Sequence, residues 1–339
     1  MPTRRAVIAG FASLAAAPAL GQEADPLAPV IERAEAIAEL RTLIVAQAGK
    51  VLADEGFRGH RTTAPTNIKS ASKSIISALV GIAIGKGLIE GPDQKIADFL
   101  AADFPENPDP RLAEVTIGNL LTMQAGLEPT SGANYGSWVA SRNWVRAALA
   151  KPFVADPGTG WQYSTGSAHL LSAILTKAGK ASTFDLIKEW FAPVDGFAVT
   201  DWERDPQGIY LGGNQMAMSP HSLLAFGDLY RSRGKAADGT QVVPETWIDA
   251  SWTPHARSFR NGDDYGYLWF LRRIGGDQAS YAWGYGGQMC YVVPSRDLVI
   301  VMTSDETGNA PERGYLDNLH DLAGAVVTAL PPPAAGARP

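Results

Sequence analysis

An almost uninterrupted apolar run, Ile75 to Ile84, constrains the fold of this chain more than any other feature. The run leaves almost no polar face on a helix, because its apolar members are Ile75, Ile76, Ala78, Leu79, Val80, Ile82, Ala83 and Ile84. A helix that is apolar on every side is surrounded by other elements of a protein core. The sequence therefore predicts a central buried helix that ends near the glycines at 85 and 87.

Ser70 and Lys73 stand immediately before this run. Residues i and i+3 share one helix face, so the Lys73 amine can reach the Ser70 hydroxyl and take its proton. Burial also favours the neutral, basic form of a lysine. The pair predicts a serine nucleophile with a lysine base. On local evidence alone, an ordinary serine near a helix N-cap with an exposed lysine fits equally well.

The same Ser-x-x-Lys pattern occurs a second time, at Ser232 and Lys235. Here Gly234 is typical of a helix C-terminus, and residues 236–239 form a predicted turn. We interpret this second match as a chance occurrence without catalytic function.

The composition excludes several classes of protein. The chain has 339 residues, 45% of them hydrophobic and 19% charged, which suits one large globular domain or two interleaved lobes. A net charge of -6 gives no basic field for nucleic acid. Cys290 is the only cysteine, so no intrachain disulfide forms, and its strand-like context predicts a small buried hydrophobe. The histidines lack metal-ligand spacing, and HExxH and GxSxG motifs are absent, so we expect neither a metal nor another cofactor.

The N-terminus resembles an export signal. Arg4 and Arg5 provide a charged region, residues 6–17 an apolar region, and residues 19–21 a cleavage site. Residues 1–21 are therefore a predicted signal peptide, with twin-arginine export slightly favoured over ordinary secretion. We expect an exported protein, periplasmic or secreted, without a stable membrane anchor, and a disordered tail at residues 331–339.

Strand-like segments lie at both ends of the chain and helical or loop-like segments lie between them. An α+β lobe is predicted from residues 27–91 and 214–330, interrupted by an all-helical lobe at 92–213, with the active site between the lobes. Predicted helices cover 27–40, 168–175, 220–232 and 312–330 in addition to the Ser70 helix. Predicted strands cover 42–47, 51–54, 265–272, 281–284, 288–293 and 298–303.

Two further segments suit a serine hydrolase. Tyr163 lies in a glycine-rich loop, residues 157–167, where its phenol can act as a proton acceptor or relay. Residues 282–288 place three glycines beside a strand, which permits close approach of a substrate, and one N–H there can complete an oxyanion hole with the N–H of Ser70. A buried aromatic side chain and a tight hairpin turn are the plain alternatives.

Taken in order, these segments resemble the penicillin-recognising serine hydrolase superfamily, which contains class C β-lactamases, DD-peptidases, esterases and 6-aminohexanoate-dimer hydrolases. Beyond the Ser70 motif, the run at 120–127 is similar to its LLTxxSGL segment and residues 163–165 to its Tyr-x-Asn box. Residues 169–175, 219–220 and 284–288 match the 6-aminohexanoate-dimer-hydrolase-like branch.

The resemblance implies a class C β-lactamase-like fold, an antiparallel sheet flanked by helices plus an all-helical lobe. It also implies an acyl-enzyme mechanism with Ser70 as nucleophile, Lys73 as base and Tyr163 as proton relay. The implied oxyanion donors are the N–H groups of Ser70 and Tyr285, with Gly286 in the alternative register. The implied substrate-binding residues are Thr165, Trp283, Gly284 and Gly286.

Two departures from the family pattern bear on the substrate. The lysine of the third box is replaced by Ala282, and the asparagine of the Tyr-x-Asn box by Thr165. A site without the lysine lacks a charge-assisted contact to a substrate carboxylate. Both changes favour small esters or unusual amides, although Arg272 or Arg273 can supply a substitute charge.

The sequence thus predicts a serine carboxylesterase or amidase acting on a small-molecule ester, amide or β-lactam. A β-lactamase or DD-peptidase acting on cell-wall material is the alternative enzyme, and a catalytically silent ligand binder is the alternative outside enzymes. The sequence does not predict an oligomeric state.

Overall fold

The structure is a computed structural model that describes residues 25–305 and 314–333. The predicted signal peptide at 1–21 and residues 334–339 of the predicted tail lie outside the described residues. Within them no helix has the length and apolar character needed to cross a membrane.

The described part of the chain contains the following helices: α1 Ala28–Glu35, α2 Ser72–Gly85, α3 Ala97–Leu100, α4 Ile117–Leu121, α5 Tyr135–Val139, α6 Trp144–Leu149, α7 Thr165–Gly179, α8 Thr183–Trp190, α9 Pro220–Arg231, α10 Glu245–Ser251 and α11 Tyr315–Ala329. A 3₁₀ turn, Lys69–Ala71, leads directly into α2. Ser70 therefore lies at the N-terminal entry to the buried helix.

The strands of the described residues are β1 Leu40–Gln47, β2 Lys50–Gly56, β3 Thr66–Asn67, β4 Asp201–Trp202, β5 Met216–Met218, β6 Ala256–Arg257, β7 Asp264–Tyr265, β8 Phe270–Ile274, β9 Asp277–Gly284, β10 Gln288–Val293 and β11 Leu298–Ser304. Eight of them form one antiparallel sheet in the order β2-β1-β11-β10-β9-β8-β7-β6. This sheet joins segments that are far apart in sequence, because β1 pairs with β11.

Helices cover both faces of the sheet. Successive side chains of a strand point to opposite faces. In β10, Cys290 Sγ lies 3.7 Å from the Leu223 carbonyl oxygen of α9, while the next side chain, Tyr291, bonds His320 of α11. Coverage on both faces explains why β10 and β11 are buried along their whole lengths and contain long apolar runs instead of alternating polar residues.

Helix α2 is the central core helix that the sequence predicts. Every residue from Ser72 to Ala83 is buried, and α2 packs against α7 and β9. The first hairpin, strand β10 and helix α9 also lie close to their predicted positions. The sequence-based expectation of an antiparallel α+β fold is confirmed.

A small second sheet, in the order β3-β5-β4, is a feature that the sequence prediction missed. Strand β4 lies inside residues 92–213, so this segment is not all helical as predicted. Strands of two or three residues are too short to show a hydrophobic period. The sheet positions the approach to Ser70, because the Ile68 N–H donates to the Met216 carbonyl oxygen at 2.9 Å.

The predicted strand at 265–272 is wrong in one respect, since the structure divides it into β7 and β8. Leu268, between the two strands, has a φ of 60°. Its carbonyl oxygen accepts from Ser74 Oγ at 2.8 Å, and its N–H donates to the Leu121 carbonyl oxygen at 3.0 Å. These bonds draw the backbone away from the sheet towards α2. Helix α10 was not predicted, α1 ends earlier than predicted, and the division into two lobes stays a prediction.

Candidate active site

Ser70 and Lys73 are brought into direct contact at the start of α2. Lys73 Nζ lies 3.0 Å from Ser70 Oγ. Ser70 is half-buried, whereas Lys73 is only 1% exposed. At the entry to a buried helix Ser70 thus stays partly accessible while the Lys73 amine lies inside, which excludes the alternative of an exposed lysine.

The Lys73 amine has two further oxygen partners. Its Nζ lies 3.2 Å from Thr165 Oγ1 on α7 and 2.6 Å from the carbonyl oxygen of Gly213. Burial, with a smaller contribution from the positive charge of Arg260, lowers the pKa of Lys73 to about 7. A substantial fraction of the amine is therefore neutral near neutral pH and able to accept a proton.

Tyr163 lies against the same amine. Lys73 Nζ is 4.9 Å from the centre of the Tyr163 ring, a cation–π contact when the amine is charged. Burial raises the pKa of Tyr163 to about 12, although a hydrogen bond with the Ser70 side chain and the charge of Arg260 oppose the rise. Its hydroxyl is therefore protonated near neutral pH, which favours a proton donor or relay over a resident phenolate base.

Thr165 is buried beneath the nucleophile rather than lining an open surface. Besides its contact with Lys73, its hydroxyl lies 3.0 Å from Ser131 Oγ, which also accepts from the Thr165 N–H at 2.8 Å. Thr165 thus contacts the base, whereas its predicted substrate contact stays a prediction. Ser131 was missed by the sequence analysis, although it follows the matched run at 120–127.

A buried His–Asp pair holds the backbone next to Gly213, whose carbonyl oxygen is a partner of Lys73. His169 Nε2 lies 3.1 Å from Asp205 Oδ2, and both side chains are fully buried. The Gly212 N–H donates to His169 Nδ1 at 3.3 Å, so the ring proton is on Nε2 and faces Asp205. The pair anchors the backbone next to Gly213, whose carbonyl oxygen faces Lys73.

Asp205 is held as a carboxylate. Burial opposes its ionisation, but hydrogen bonds from His169 and from the backbone N–H groups of Gln207 and Ile209 hold its pKa below the ordinary value. A charged carboxylate fixes the orientation of the His169 ring. Asp205 was not predicted from the sequence, because its 36-residue separation from His169 gives no local signal.

Only glycine fits at position 213, because of its backbone angle and the closeness of Lys73. Its φ is +80°, and a Cβ there would lie 2.4 Å from Lys73 Cγ. Any side chain would displace either the lysine or the loop. This glycine therefore permits the backbone carbonyl to approach the amine.

The third segment lies beside the start of α2. A Cβ at Gly284 would lie 2.1 Å from the Ile68 carbonyl oxygen, so only glycine fits this close approach of β9 to the Ser70 turn. This contact favours the register with Gly284 as the glycine of the third box and Ala282, 1% exposed, at the position of its lysine. Tyr285 follows in the hairpin turn, half-exposed, and its oxyanion role stays a prediction.

Trp283 and Gly286 occupy different surroundings. Trp283 packs against Phe270 with ring centres 5.4 Å apart, and Phe270 stacks on Tyr163. Gly286 is buried in the turn, and a Cβ there would lie 2.6 Å from the Asp305 carbonyl oxygen. Trp283 thus reaches the site through an aromatic contact, whereas substrate contact by Gly286 stays a prediction.

Arg272 and Arg273, which the sequence suggested as substitute charges, have other partners in the structure. Arg272 pairs with Asp263 at 3.5 Å, and Arg273 donates to the Gly276 carbonyl oxygen. Both line a surface pocket together with Arg33 and His320. The expectation for Arg272 and Arg273 is therefore corrected, and the arginine that faces Tyr163 is Arg260, with Cζ 5.4 Å from the ring centre.

Other nucleophiles and metal sites receive no support. Cys290 is buried, and burial raises the pKa of its thiol to about 12, as suits the predicted core residue. In residues 25–305 and 314–333, no group of three or more histidine, cysteine, aspartate or glutamate side chains is arranged to hold a metal ion.

The β-lactamase family model matches residues 34–325 of this chain. The chain therefore belongs to the β-lactamase family, which defines it as a β-lactamase-fold member of the serine hydrolase superfamily and confirms the resemblance and fold class predicted from its motifs.

Among curated proteins, a segment of 145 residues is 30% identical to "Probable fimbrial assembly protein FimD, serogroup H1" of Dichelobacter nodosus. The match covers 41% of this chain and 36% of that protein, so the chain spans only about a third of the length of the curated relatives that it matches.

Solved structures share the fold at low sequence identity. EstCE1, a hydrolase with promiscuous acyltransferase activity, superimposes with a TM-score of 0.71 at 14% identity, covering 88% of this chain and 98% of that one. The octameric penicillin-binding protein homologue from Pyrococcus abyssi gives a TM-score of 0.69 at 17% identity, covering 91% and 77%. At these identities the likeness extends to the fold alone.

Proposed function

We propose that this chain is an exported serine carboxylesterase or amidase that works through an acyl-enzyme on Ser70. The observation that carries the proposal is the 3.0 Å contact between Ser70 Oγ and a buried amine whose pKa is about 7. A neutral lysine next to a serine hydroxyl is an activated nucleophile. The export component rests on the sequence of residues 1–21 alone.

In the proposed acylation, neutral Lys73 takes the proton of the Ser70 hydroxyl as Oγ bonds to the substrate carbonyl carbon. The N–H groups of Ser70 and Tyr285 stabilise the oxyanion. As the bond to the leaving group breaks, the Tyr163 hydroxyl gives its proton to the departing oxygen or nitrogen and regains one from the Lys73 ammonium. The acyl group remains on Ser70.

Deacylation repeats these roles with water as nucleophile. The amine takes a proton from the attacking water, the hydroxide oxygen bonds to the acyl carbon, and the proton returns to Ser70 Oγ as the acid leaves. Each proton that leaves a group in one step is restored in the next, so no cofactor is required.

The third segment supports esters or unusual amides over β-lactams. Position 282, where the register places the family's lysine, is a buried alanine. A β-lactam or peptide carboxylate would lack at this strand a charge-assisted contact of about 1.5–3 kcal/mol. A β-lactamase or DD-peptidase acting on cell-wall material is the alternative outcome.

Purified protein is assayed with p-nitrophenyl butyrate and nitrocefin in parallel, for wild type, Ser70→Ala and the matched control Ser232→Ala. Ester turnover that exceeds β-lactam turnover, disappears in Ser70→Ala and persists in Ser232→Ala supports the proposal. The reverse substrate ratio supports the β-lactamase alternative. Turnover retained in Ser70→Ala contradicts the mechanism, and a well-folded wild type without any turnover indicates the silent binder.

A covalent label tests the nucleophile independently of substrate choice. A fluorophosphonate should add once to the wild-type protein, and peptide mass mapping should locate the adduct at Ser70. Labelling should be lost in Ser70→Ala and unaffected in Ser232→Ala. An adduct at any other serine would contradict the assignment.

A further inference from the structure

The loop that carries Arg260 is held firmly between β6 and β7. The Ser258 N–H donates to the Asp263 carbonyl oxygen at 2.8 Å, and the Gly262 N–H donates to the Ser258 carbonyl oxygen at 2.9 Å. The Arg260 N–H itself donates to Ser258 Oγ at 3.2 Å. Three bonds across six residues fix the backbone position of Arg260.

The loop is also tied to the central sheet. Asn261 Nδ2 donates to the Tyr281 hydroxyl of β9 at 2.8 Å and to Asp263 Oδ2 at 3.0 Å. The Tyr281 hydroxyl donates in turn to Asp263. Because Asn261 follows Arg260 directly, these bonds orient the loop relative to the same strand that approaches Ser70 at Gly284.

The Arg260 guanidinium lies at the site itself. Its Cζ is 5.4 Å from the centre of the Tyr163 ring, the ring that also contacts the Lys73 amine. Across residues 25–305 and 314–333, Arg260 forms no ion pair with a carboxylate, in contrast to Arg272, whose charge is paired with Asp263. A cation without a carboxylate partner, packed on the Tyr163 ring that also contacts the catalytic base, attracts an anionic group of a ligand.

We propose that Arg260 binds a carboxylate on the leaving group of the substrate, so that the enzyme prefers esters or amides whose departing alcohol or amine carries a negative charge. The inference rests on the proposed function, in which Tyr163 protonates the departing atom. Arg260 packs on the Tyr163 ring. The part of the leaving group that is attached to the departing atom therefore lies close to the Arg260 guanidinium.

This position differs from that of a third-box lysine. A lysine at 282 would project from strand β9, whereas Arg260 reaches the site from the loop beside Tyr163. The proposal therefore concerns flexible leaving groups that pass Tyr163, such as those of N-acyl amino acids or esters of hydroxy acids.

Three nitrophenyl esters separate the possibilities. 4-Nitrophenyl butyrate is neutral, 5-butyryloxy-2-nitrobenzoate carries a carboxylate on the leaving phenol, and 4-nitrophenyl hydrogen glutarate carries it on the acyl part. The quantity compared is the ratio of kcat/KM for each charged ester to that for the neutral ester. This ratio cancels changes in folding and in the reactivity of Ser70.

In the wild type we expect kcat/KM for 5-butyryloxy-2-nitrobenzoate to exceed kcat/KM for the neutral ester, so that their ratio is greater than one. Arg260→Gln should lower that ratio by about tenfold to a hundredfold, the size of a lost charge-assisted contact. Arg260→Lys should keep much of it, because the charge remains. Arg273→Gln is the matched control, because Arg273 is bonded to Gly276 rather than packed on Tyr163, and it should leave the ratio unchanged.

Three results would overturn the proposal: an unchanged ratio in Arg260→Gln, a loss confined to the glutarate ester, or a loss in Lys69→Gln instead. Lys69, the cation next to Ser70 in sequence, bonds Gln215 Oε1 at 3.3 Å. Failure of the proposed function is distinct, because then no ester shows Ser70-dependent turnover. In that case equilibrium binding of 5-hydroxy-2-nitrobenzoate to Ser70→Ala, with and without Arg260→Gln, still tests the arginine, and equal affinities reject it.

Discussion

The chain contains the same Ser-x-x-Lys pattern twice, in two very different settings. Ser70 and Lys73 enter a helix that is buried on all sides, and their side chains meet at 3.0 Å. Ser232 follows the last residue of α9, Arg233 and Gly234 take left-handed backbone angles, and Lys235 is exposed. Identical spacing thus produces contact in one place and a solvated turn in the other.

The difference shows that spacing acts only together with helix geometry and burial. An i, i+3 pair shares a face only while the helix continues. A lysine becomes a base near neutral pH only where burial disfavours its charge. Ser232 Oγ instead accepts from its neighbour Arg231 at 2.9 Å.

Exchanging each lysine for a neutral side chain should give the largest difference in activity between the two motifs. Lys73→Met removes the base and should lower kcat/KM for the ester by about 10³-fold, within the range for a general base. Lys235→Met should leave kcat/KM unchanged. Equal effects of the two substitutions would remove the basis for distinguishing the two motifs.

The proton relay is a second difference, since Tyr163 contacts only the first motif. Tyr163→Phe removes the hydroxyl and keeps the ring over Lys73, so kcat should fall by about a hundredfold with a smaller change in KM. The acidity of the leaving group should modulate the loss. Esters of strongly acidic phenols need no protonation and should be the least affected; an equal loss for all leaving groups would argue against a relay.

Two His–Asp pairs, one buried and one on the surface, show how burial changes the effect of losing a carboxylate. The expected effects are smaller than those above. Asp205→Asn should lower kcat severalfold, because the Gly212–Gly213 backbone is held less firmly against Lys73, and lower the free energy of unfolding by about 1.5–3 kcal/mol. The surface pair His221–Asp54, 3.0 Å apart, is the control, and Asp54→Asn should cost less than about 1 kcal/mol.

Positioning by Asp205 has a signature that loss of stability alone does not have. The midpoint of the pH profile of kcat/KM should move in Asp205→Asn, because the Gly213 carbonyl oxygen contacts the titrating amine. Urea unfolding and the pH profile are measured on the same preparations. A lower stability with an unmoved profile would make Asp205 structural only.

The smallest change that we expect is a shift in the midpoint of the pH profile of kcat/KM. Lys73 must be neutral, and its pKa is about 7, so kcat/KM should rise with pH through this value and level off above it. Arg260→Gln removes a positive charge that lowers this pKa, so the midpoint should move to higher pH by less than about one unit. The other groups around the amine are Ser70, Thr165, Tyr163 and the Gly213 carbonyl. A shift to lower pH would contradict the electrostatic role of Arg260.

Regular patterns explain which parts of the fold were predictable. Strand β10 was predicted at its observed bounds, because Gln288–Val293 is a continuous run rich in β-branched and aromatic residues between turn signals. The short strands β3, β4 and β5 and the bend at Leu268 were not predictable. Their geometry follows from hydrogen bonds to distant segments rather than from any local period.

The same distinction holds for the candidate site. Ser70 and Lys73 are three residues apart, and the buried helix that Ser70 leads into is visible in the sequence. Arg260 acts on Tyr163 only because Asn261 and Asp263 tie its loop to Tyr281, and Asp205 reaches His169 from 36 residues away. Arg272 and Arg273 were nearer to the third segment in sequence but are directed elsewhere by Asp263 and Gly276.

The three oxygen partners of Lys73 have a consequence for the dynamics of proton transfer. An ammonium group has three hydrogens, and Ser70 Oγ, Thr165 Oγ1 and the Gly213 carbonyl can accept one each. A neutral amine has two hydrogens and one lone pair, so the same geometry leaves the lone pair facing the Ser70 hydroxyl. The amine can therefore gain and lose its proton while every heavy atom stays in place, and little reorganisation energy is added to the barrier.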